Sequence, residues 1–305
     1  MSQKPLNATL SVMLGTLVGV VFFIGGYYLL SVDGQHEAYG LVMFLLVPCV
    51  SGFAVGAVAR RGTHAAACLV LTLILGLSLM IVVGLEGWIC CLMALPLLLA
   101  GLAVGALLGY FVRGRFLDHG NHAGRNTLLL LLACPFLMAA ANQAEKPWRN
   151  QQRSETFVSE VFVPKSPTDT WNMLVRMPSM DGVKPFLLRI GLPVPYRCTL
   201  DADAVGGQRT CYFDQGVIEM EVTDWQRPEK VGMKITKSTL PGRRWLTFVD
   251  AHYTVVPEAN GTRVIRQSTI ASRLYPRWYW RPFEAWGVTS EHEFVLSSLA
   301  VAAAD

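Results

Sequence analysis

Up to about Gln143 the chain alternates long apolar runs with short polar links; after that, apolar and polar positions alternate one by one. A helix crossing the hydrocarbon core of a bilayer needs roughly 20 apolar residues. Four runs meet that length: Ala8 to Leu30, Ala38 to Ala59, Ala65 to Gly84 and Trp88 to Val112. A fifth, "TLLLLLACPFLMAAA" from Thr127 to Ala141, is short and holds Pro135. It either spans with little tilt or lies at the interface, and its uniformly apolar start favours a span. The first run is too long for a signal-peptide core and lacks a small-residue cleavage site, so it is expected to be retained. Glycines recur four apart (Gly15 and Gly19, Gly52 and Gly56, then Gly101, Gly105 and Gly109), the spacing that lets helix backbones approach closely.

From Phe157 the period falls to two. "TFVSEVFVP" reads as a strand, and "KSPTDTWNMLVRMP" as a capped amphipathic helix stopped by Pro178. Strand-like runs follow at Tyr196 to Leu200, Gln208 to Phe213, Val217 to Trp225, Val231 to Lys237, Leu246 to Val256 and Arg263 to Ile270, with turn residues between them. The chain closes on a helical stretch from about Pro282 to Ala303. The expected architecture is a membrane helical bundle (1–143) followed by an α+β domain (155–303) in which a curved antiparallel sheet grips one long C-terminal helix.

Composition sharpens that division. The chain has 305 residues, is 52% hydrophobic and only 16% charged. Before Arg113 the charged residues are Lys4, Asp33, Glu37, Arg60, Arg61 and Glu86, all at the ends of apolar runs. No ion path or proton relay is visible among them. The basic residues of the short links fall on one side, with Lys4, Arg60, Arg61, Arg113, Arg115 and Arg125 together. That predicts an integral membrane protein, of the bacterial inner-membrane type, with its N-terminus in the cytoplasm. Five spans would put the C-terminal domain outside and four would keep it inside; Lys146, Arg149 and Arg153 lean toward the second. The net charge of +4 is small and no block of basic residues suggests a nucleic-acid partner. No metal-binding spacing occurs, so neither metal nor cofactor is expected, and nothing identifies a protein partner.

"VFVPKSPTDTWNML", "GGQRTCYFDQG", "EVTDWQRPEKVGMKI", "YTVVPEANGTRVI" and "EHEFVLSSLA", in that order and spacing, resemble the SRPBCC superfamily. That group includes START-like, Bet v 1-like and polyketide cyclase/dehydrase-like domains. The resemblance covers roughly Glu155 to Ala303. It implies a helix-grip fold with an apolar cavity between sheet and helix, and binding of lipids, sterols, polyketides or other hydrophobic small molecules, with catalysis in a minority. The family supplies no universal catalytic residue.

Strand parity then nominates lining residues: Phe213, Met220, Met233 and Tyr253 on the sheet, and Val288, His292, Val295 and Leu296 on the helix. A hairpin closed by "PEANG" puts Tyr253 near Ile265 and Ala251 near Gln267, which adds Gln267, while Asp250, His252 and Arg266 share the other face. The same residues would equally make a filled core. His292, Tyr253 and Arg209 are the candidate acid–base groups if the domain is an enzyme; a hydrogen-bonded core histidine is the plainer reading of His292. In "RLYPRWYWRPFEAWG", Arg277, Trp278, Tyr279, Trp280 and Arg281 suit a membrane–water interface, or else cover the core; "LPGRRW" is a second candidate contact. Cys198 and Cys211 can face each other across a hairpin centred on Ala204-Val205 and form a disulfide, whereas a tight turn at Gly206-Gly207 would separate them. The leading expectation is a membrane-anchored binder of a hydrophobic molecule or lipid. A cyclase/dehydratase-like enzyme and a scaffold that docks a partner are the alternatives.

Overall fold

A computed structural model describes residues 8–31, 40–59, 62–83, 87–117, 123–149, 151, 153–240 and 245–304. They fall into two compact units, one of helices and one built on a sheet. The charges at Lys4, Asp33, Glu37, Arg60, Arg61 and Glu86, and residues 241–244 of "LPGRRW", lie outside the described residues.

The first unit holds α1 (Ala8–Ser31), a π-helical turn (Val42–Leu46) running into α2 (Val47–Val58), α3 (Gly62–Val82), α4 (Trp88–Val112) and α5 (Ala123–Arg149). Four stretches are long and apolar enough to cross a membrane: Thr9–Leu30, Gly62–Val82, Trp88–Arg115 and Arg125–Trp148. The short helix is not the one the sequence suggested. The fifth run, expected to end at Ala141, continues to Arg149, whereas the second, expected to be full length, spans only Val42–Val58. The extension has a physical reason. Glu145, buried near the end of α5, accepts hydrogen bonds from the backbone N–H of Leu41 at 2.6 Å and Val42 at 3.2 Å. Those are orphan donors at a helix start, where negative charge is favoured. At the other end of α2, Arg113 donates to the Ala59 carbonyl at 2.5 Å. Its cation therefore caps a helix C-terminus besides marking a loop.

Glycine spacing places α2 against α4. A Cβ on Gly105 would strike the Cys49 carbonyl, and one on Gly52 would strike that of Leu102. Small residues four apart thus allow the two backbones to touch.

The second unit contains β1 (Arg153–Val163), α6 (Pro167–Arg176), α7 (Phe186–Arg189), β2 (Pro195–Leu200), β3 (Gln208–Phe213), β4 (Gly216–Gln226), β5 (Lys230–Ser238), β6 (Leu246–Glu258), β7 (Gly261–Ser272) and α8 (Arg277–Ala304). Ser166 caps α6 by accepting from the Asp169 N–H at 3.2 Å. The seven strands form one curled antiparallel sheet in the order β1-β7-β6-β5-β4-β3-β2. Consecutive strands from β2 to β7 pair as a meander, and β1 closes the far side on β7. Trp171 and Leu174 of α6 and Phe294, Val295, Leu296 and Leu299 of α8 share one core with inward residues of the sheet, including Val222, Met233, Tyr253 and Val264. Each element buries its apolar face against another, which is the helix-grip arrangement. The long helix begins at Arg277, one and a half turns before the expected Pro282.

Candidate functional site

The inner face of the sheet is mostly apolar, and carries polar groups around Glu155 and Ser272 and, with buried guanidiniums, near Tyr253. There the alternation of β3 turns Arg209 inward with Cys211 and Phe213, and that of β7 turns Arg266 and Ser268 inward with Val264 and Ile270. The two guanidinium carbons lie 5.8 Å (Arg209) and 5.4 Å (Arg266) from the centre of the Tyr253 ring. Arg266 donates from Nη2 to both carboxylate oxygens of Glu291 on α8, at 3.0 and 2.7 Å. Among the described residues no carboxylate is hydrogen-bonded to Arg209. Its Nη2 donates to the Leu174 carbonyl at the end of α6 at 3.1 Å, and its Nη1 approaches Met233 Sδ at 3.6 Å. Among the described residues Nε of Arg209, and Nε and Nη1 of Arg266, have no acceptor although they are buried. Burial lowers the affinity of Arg209 for its proton; Tyr253 opposes this, Arg266 adds to it, and the more weakly felt Glu291 charge opposes it. For Arg266, burial pulls the same way, but Glu291 more than restores it.

His292, wholly buried on α8, has both ring nitrogens engaged. Nδ1 lies 3.1 Å from Ser159 Oγ and Nε2 2.8 Å from Ser268 Oγ. Burial first, and then the Arg266 charge, push its pKa down to about 2, so the ring is neutral. A general base needs a free lone pair facing its substrate. This ring spends one nitrogen as donor and the other as acceptor on hydroxyls.

Of the residues nominated from sequence, Phe213, Met220, Met233, Tyr253, Val295 and Leu296 come together in the main core. Val288 does not join them; it packs with Leu246 and Ile270 in a separate cluster. Gln267 is a correction. The hairpin closes with Glu258 opposite Gly261, a two-residue turn, so Tyr253 faces Arg266 and Ala251 faces Ser268. A one-residue slip exchanges the faces of a strand. Gln267 therefore lies opposite His252 on the outer side, and Arg266 leaves the Asp250–His252 group for the interior. The buried position of Arg266 and Ser268, and their half-buried partners Glu291 and Ser159, escaped the sequence reading. The signal for Arg266 was its parity with Val264 and Ile270.

The five interfacial candidates separate by helix face, because α8 already includes them. Trp278 is 74% exposed and Arg281 points outward, with Tyr279 half-buried between them. Arg277 and Trp280 turn inward, which corrects their reading as membrane contacts. They fall on the same stripe as buried Glu284 and Val288, three or four residues apart. Arg277 bridges Glu155 of β1 and Glu284, and Glu284 also accepts from Ser272 Oγ. Burial raises the Glu155 carboxyl, but Arg277 and then Arg281 outweigh it and hold the group below the usual carboxylate range.

Cys198 and Cys211 stand directly opposite each other on β2 and β3 and are joined by a disulfide. The link between the strands is a longer loop, not a tight turn at Gly206-Gly207. Asp201 Oδ1 closes it by accepting from the Gln208 N–H at 2.6 Å. Among the described residues no group of three His, Cys, Asp or Glu side chains is placed to hold a metal ion.

No family model matches the chain, and no curated protein matches it. Solved structures similar to it include a protein from Nitrosospira multiformis, 11% identical, covering 48% of this chain and 94% of its own, with a TM-score of 0.34. Norcoclaurine synthase from Thalictrum flavum, solved with dopamine and hydroxybenzaldehyde, is 14% identical over 50% of this chain and 90% of its own, with a TM-score of 0.33. A protein from Mesorhizobium loti is 19% identical over 48% of this chain and 96% of its own, with a TM-score of 0.30. At these values the likenesses add nothing to what strand order and helix position establish.

Proposed function

We propose that the sheet unit binds a hydrophobic small molecule or lipid between its sheet and α8, in a chain anchored to a membrane by its apolar helices. One observation carries this reading: among the described residues, buried guanidinium donors beside Tyr253 lack acceptors in a mostly apolar core. A core built for stability alone satisfies its buried polar groups, because each one left unpaired is costly. A site that orients an apolar ligand needs a few convergent polar groups of this kind. The catalytic alternative has less support, since His292 is occupied at both nitrogens. Four long apolar helices support the anchor, and counting the shorter apolar helix Val42–Val58 as a fifth crossing puts the sheet unit outside, the oxidising setting that the Cys198–Cys211 bond also favours.

The test uses the full chain in nanodiscs of one synthetic phosphatidylcholine. Solvent extraction and mass spectrometry are expected to recover a hydrophobic species absent from empty discs. Recovery of nothing, together with no binding across fatty acids, isoprenoids and sterols, would overturn the reading. A topology reporter fused after Asp305 is expected to be active only outside the cytoplasm.

A further inference from the structure

The interior beside Tyr253 has a charge imbalance that says what kind of head group it suits. Two guanidiniums, Arg209 and Arg266, are buried there, at 3% and 8% exposure. One carboxylate, Glu291, answers them; both its oxygens are hydrogen-bonded to Arg266, and it reaches Arg209 only through its field. His292 beside them is neutral, since burial and the Arg266 charge keep a proton off it. One positive charge is therefore left over, and Arg209 carries it.

Helix capping accounts for only part of Arg209. Its Nη2 meets the Leu174 carbonyl near the C-terminus of α6, where a cation is favoured. Nη1 has only the soft sulfur of Met233, and Nε has no acceptor among the described residues. A buried charge usually finds a carboxylate or makes its full set of hydrogen bonds, because leaving water is otherwise too costly. Nε–H and one hydrogen of Nη2 share an edge of the guanidinium, and that edge matches two oxygens of a carboxylate or phosphate; the second hydrogen of Nη2 serves the Leu174 carbonyl. Around that edge the surroundings are apolar: Phe213, Met220, Met233 and Val222 share the same core.

We infer that the molecule held in the sheet unit is an amphiphile with an anionic oxygen head, a carboxylate or phosphate monoester, seated on Arg209, with its apolar body along the sheet. Arg266, fixed by Glu291, turns Nε and Nη1 into the same interior and adds positive potential. This rests on the proposed binding function and specifies its ligand class. A neutral sterol or hydrocarbon would leave the Arg209 charge unanswered.

The wild-type chain alone tests it. In phosphatidylcholine nanodiscs, titrated by calorimetry with empty discs subtracted, decanoate or decyl phosphate is expected to bind at least tenfold more tightly than decanol. The better of the two anions identifies the head. Arg209→Met is expected to abolish the preference while decanol still binds, and Arg209→Lys to retain part of it. Decanol bound as tightly as both anions, or a preference that survives in a folded Arg209→Met variant, would overturn the head-group assignment and leave hydrophobic binding standing. Failure of all three probes, with nothing recovered by extraction, would overturn the binding function and this inference together.

Discussion

The two units treat buried charge in opposite ways. In the helical unit Glu145 and Arg113 are directed to backbone groups at the start and end of the α2 segment. Ser51 likewise donates to the Gly19 carbonyl at 2.7 Å. With no water in a bilayer core, a helix break must be satisfied from within, and a carboxylate or guanidinium at the break does that. In the sheet unit charged side chains meet each other: Arg277 with Glu155 and Glu284, and Arg266 with Glu291. Arg209 is left without an acid. Charge in the first unit is explained by the fold that contains it, and in the second it exceeds what the fold requires. That surplus is why the sheet unit, and not the helices, is assigned the ligand.

The largest test of this contrast is Arg277→Met. It would strand Glu284, whose side chain is 1% exposed, and removing one partner of a buried pair costs about 3–5 kcal/mol. Denaturation of the full chain in nanodiscs, followed by the β-sheet circular dichroism signal, should show that loss. A cost below about 1 kcal/mol would mean the network behaves like an exposed ion pair.

A smaller effect concerns pH. Unfolded, the His292 ring takes up a proton below about 6.5, whereas folded it resists until about 2. The unfolded state thus binds more protons, so stability is lost as pH falls through the unfolded value. Between about pH 7.5 and 5.5 the loss is about 1.4 kcal/mol. His292→Gln should flatten that slope, and an unchanged slope would remove His292 as its source. Glu155 acts at lower pH. Its depressed carboxyl stabilises the fold above its unfolded value of about 4.3, and that contribution disappears as pH falls through the lower folded value.

The smallest effect should come from the helical unit. Glu145→Gln keeps an acceptor for only one of the Leu41 and Val42 N–H groups and loses the charge, and should cost about 1 kcal/mol. Thermal melting read from the helical signal is the measurement. A loss as large as that of Arg277→Met would erase the distinction between the units.

Sequence alone settled the properties that depend on near neighbours along the chain. Apolar run length located the helices, period-two alternation located the strands, and parity put Met220, Met233 and Tyr253 on one face. Glycine spacing marked faces fit for close helix packing, though not which helices would meet. What only the tertiary structure decided depends on groups far apart in sequence. Glu145 extends α5 because its partners lie 104 and 103 residues earlier. Arg266 moved to the interior, and Gln267 out of it, through a single-residue shift in one hairpin. Because α8 starts at Arg277, Arg277 and Trp280 fall on its buried stripe. Local pattern fixes which side of an element is apolar, because that follows from backbone period. It cannot fix which buried charge finds a counter-charge, because that depends on register and on three-dimensional distance, and in this protein the candidate site is that one unanswered charge.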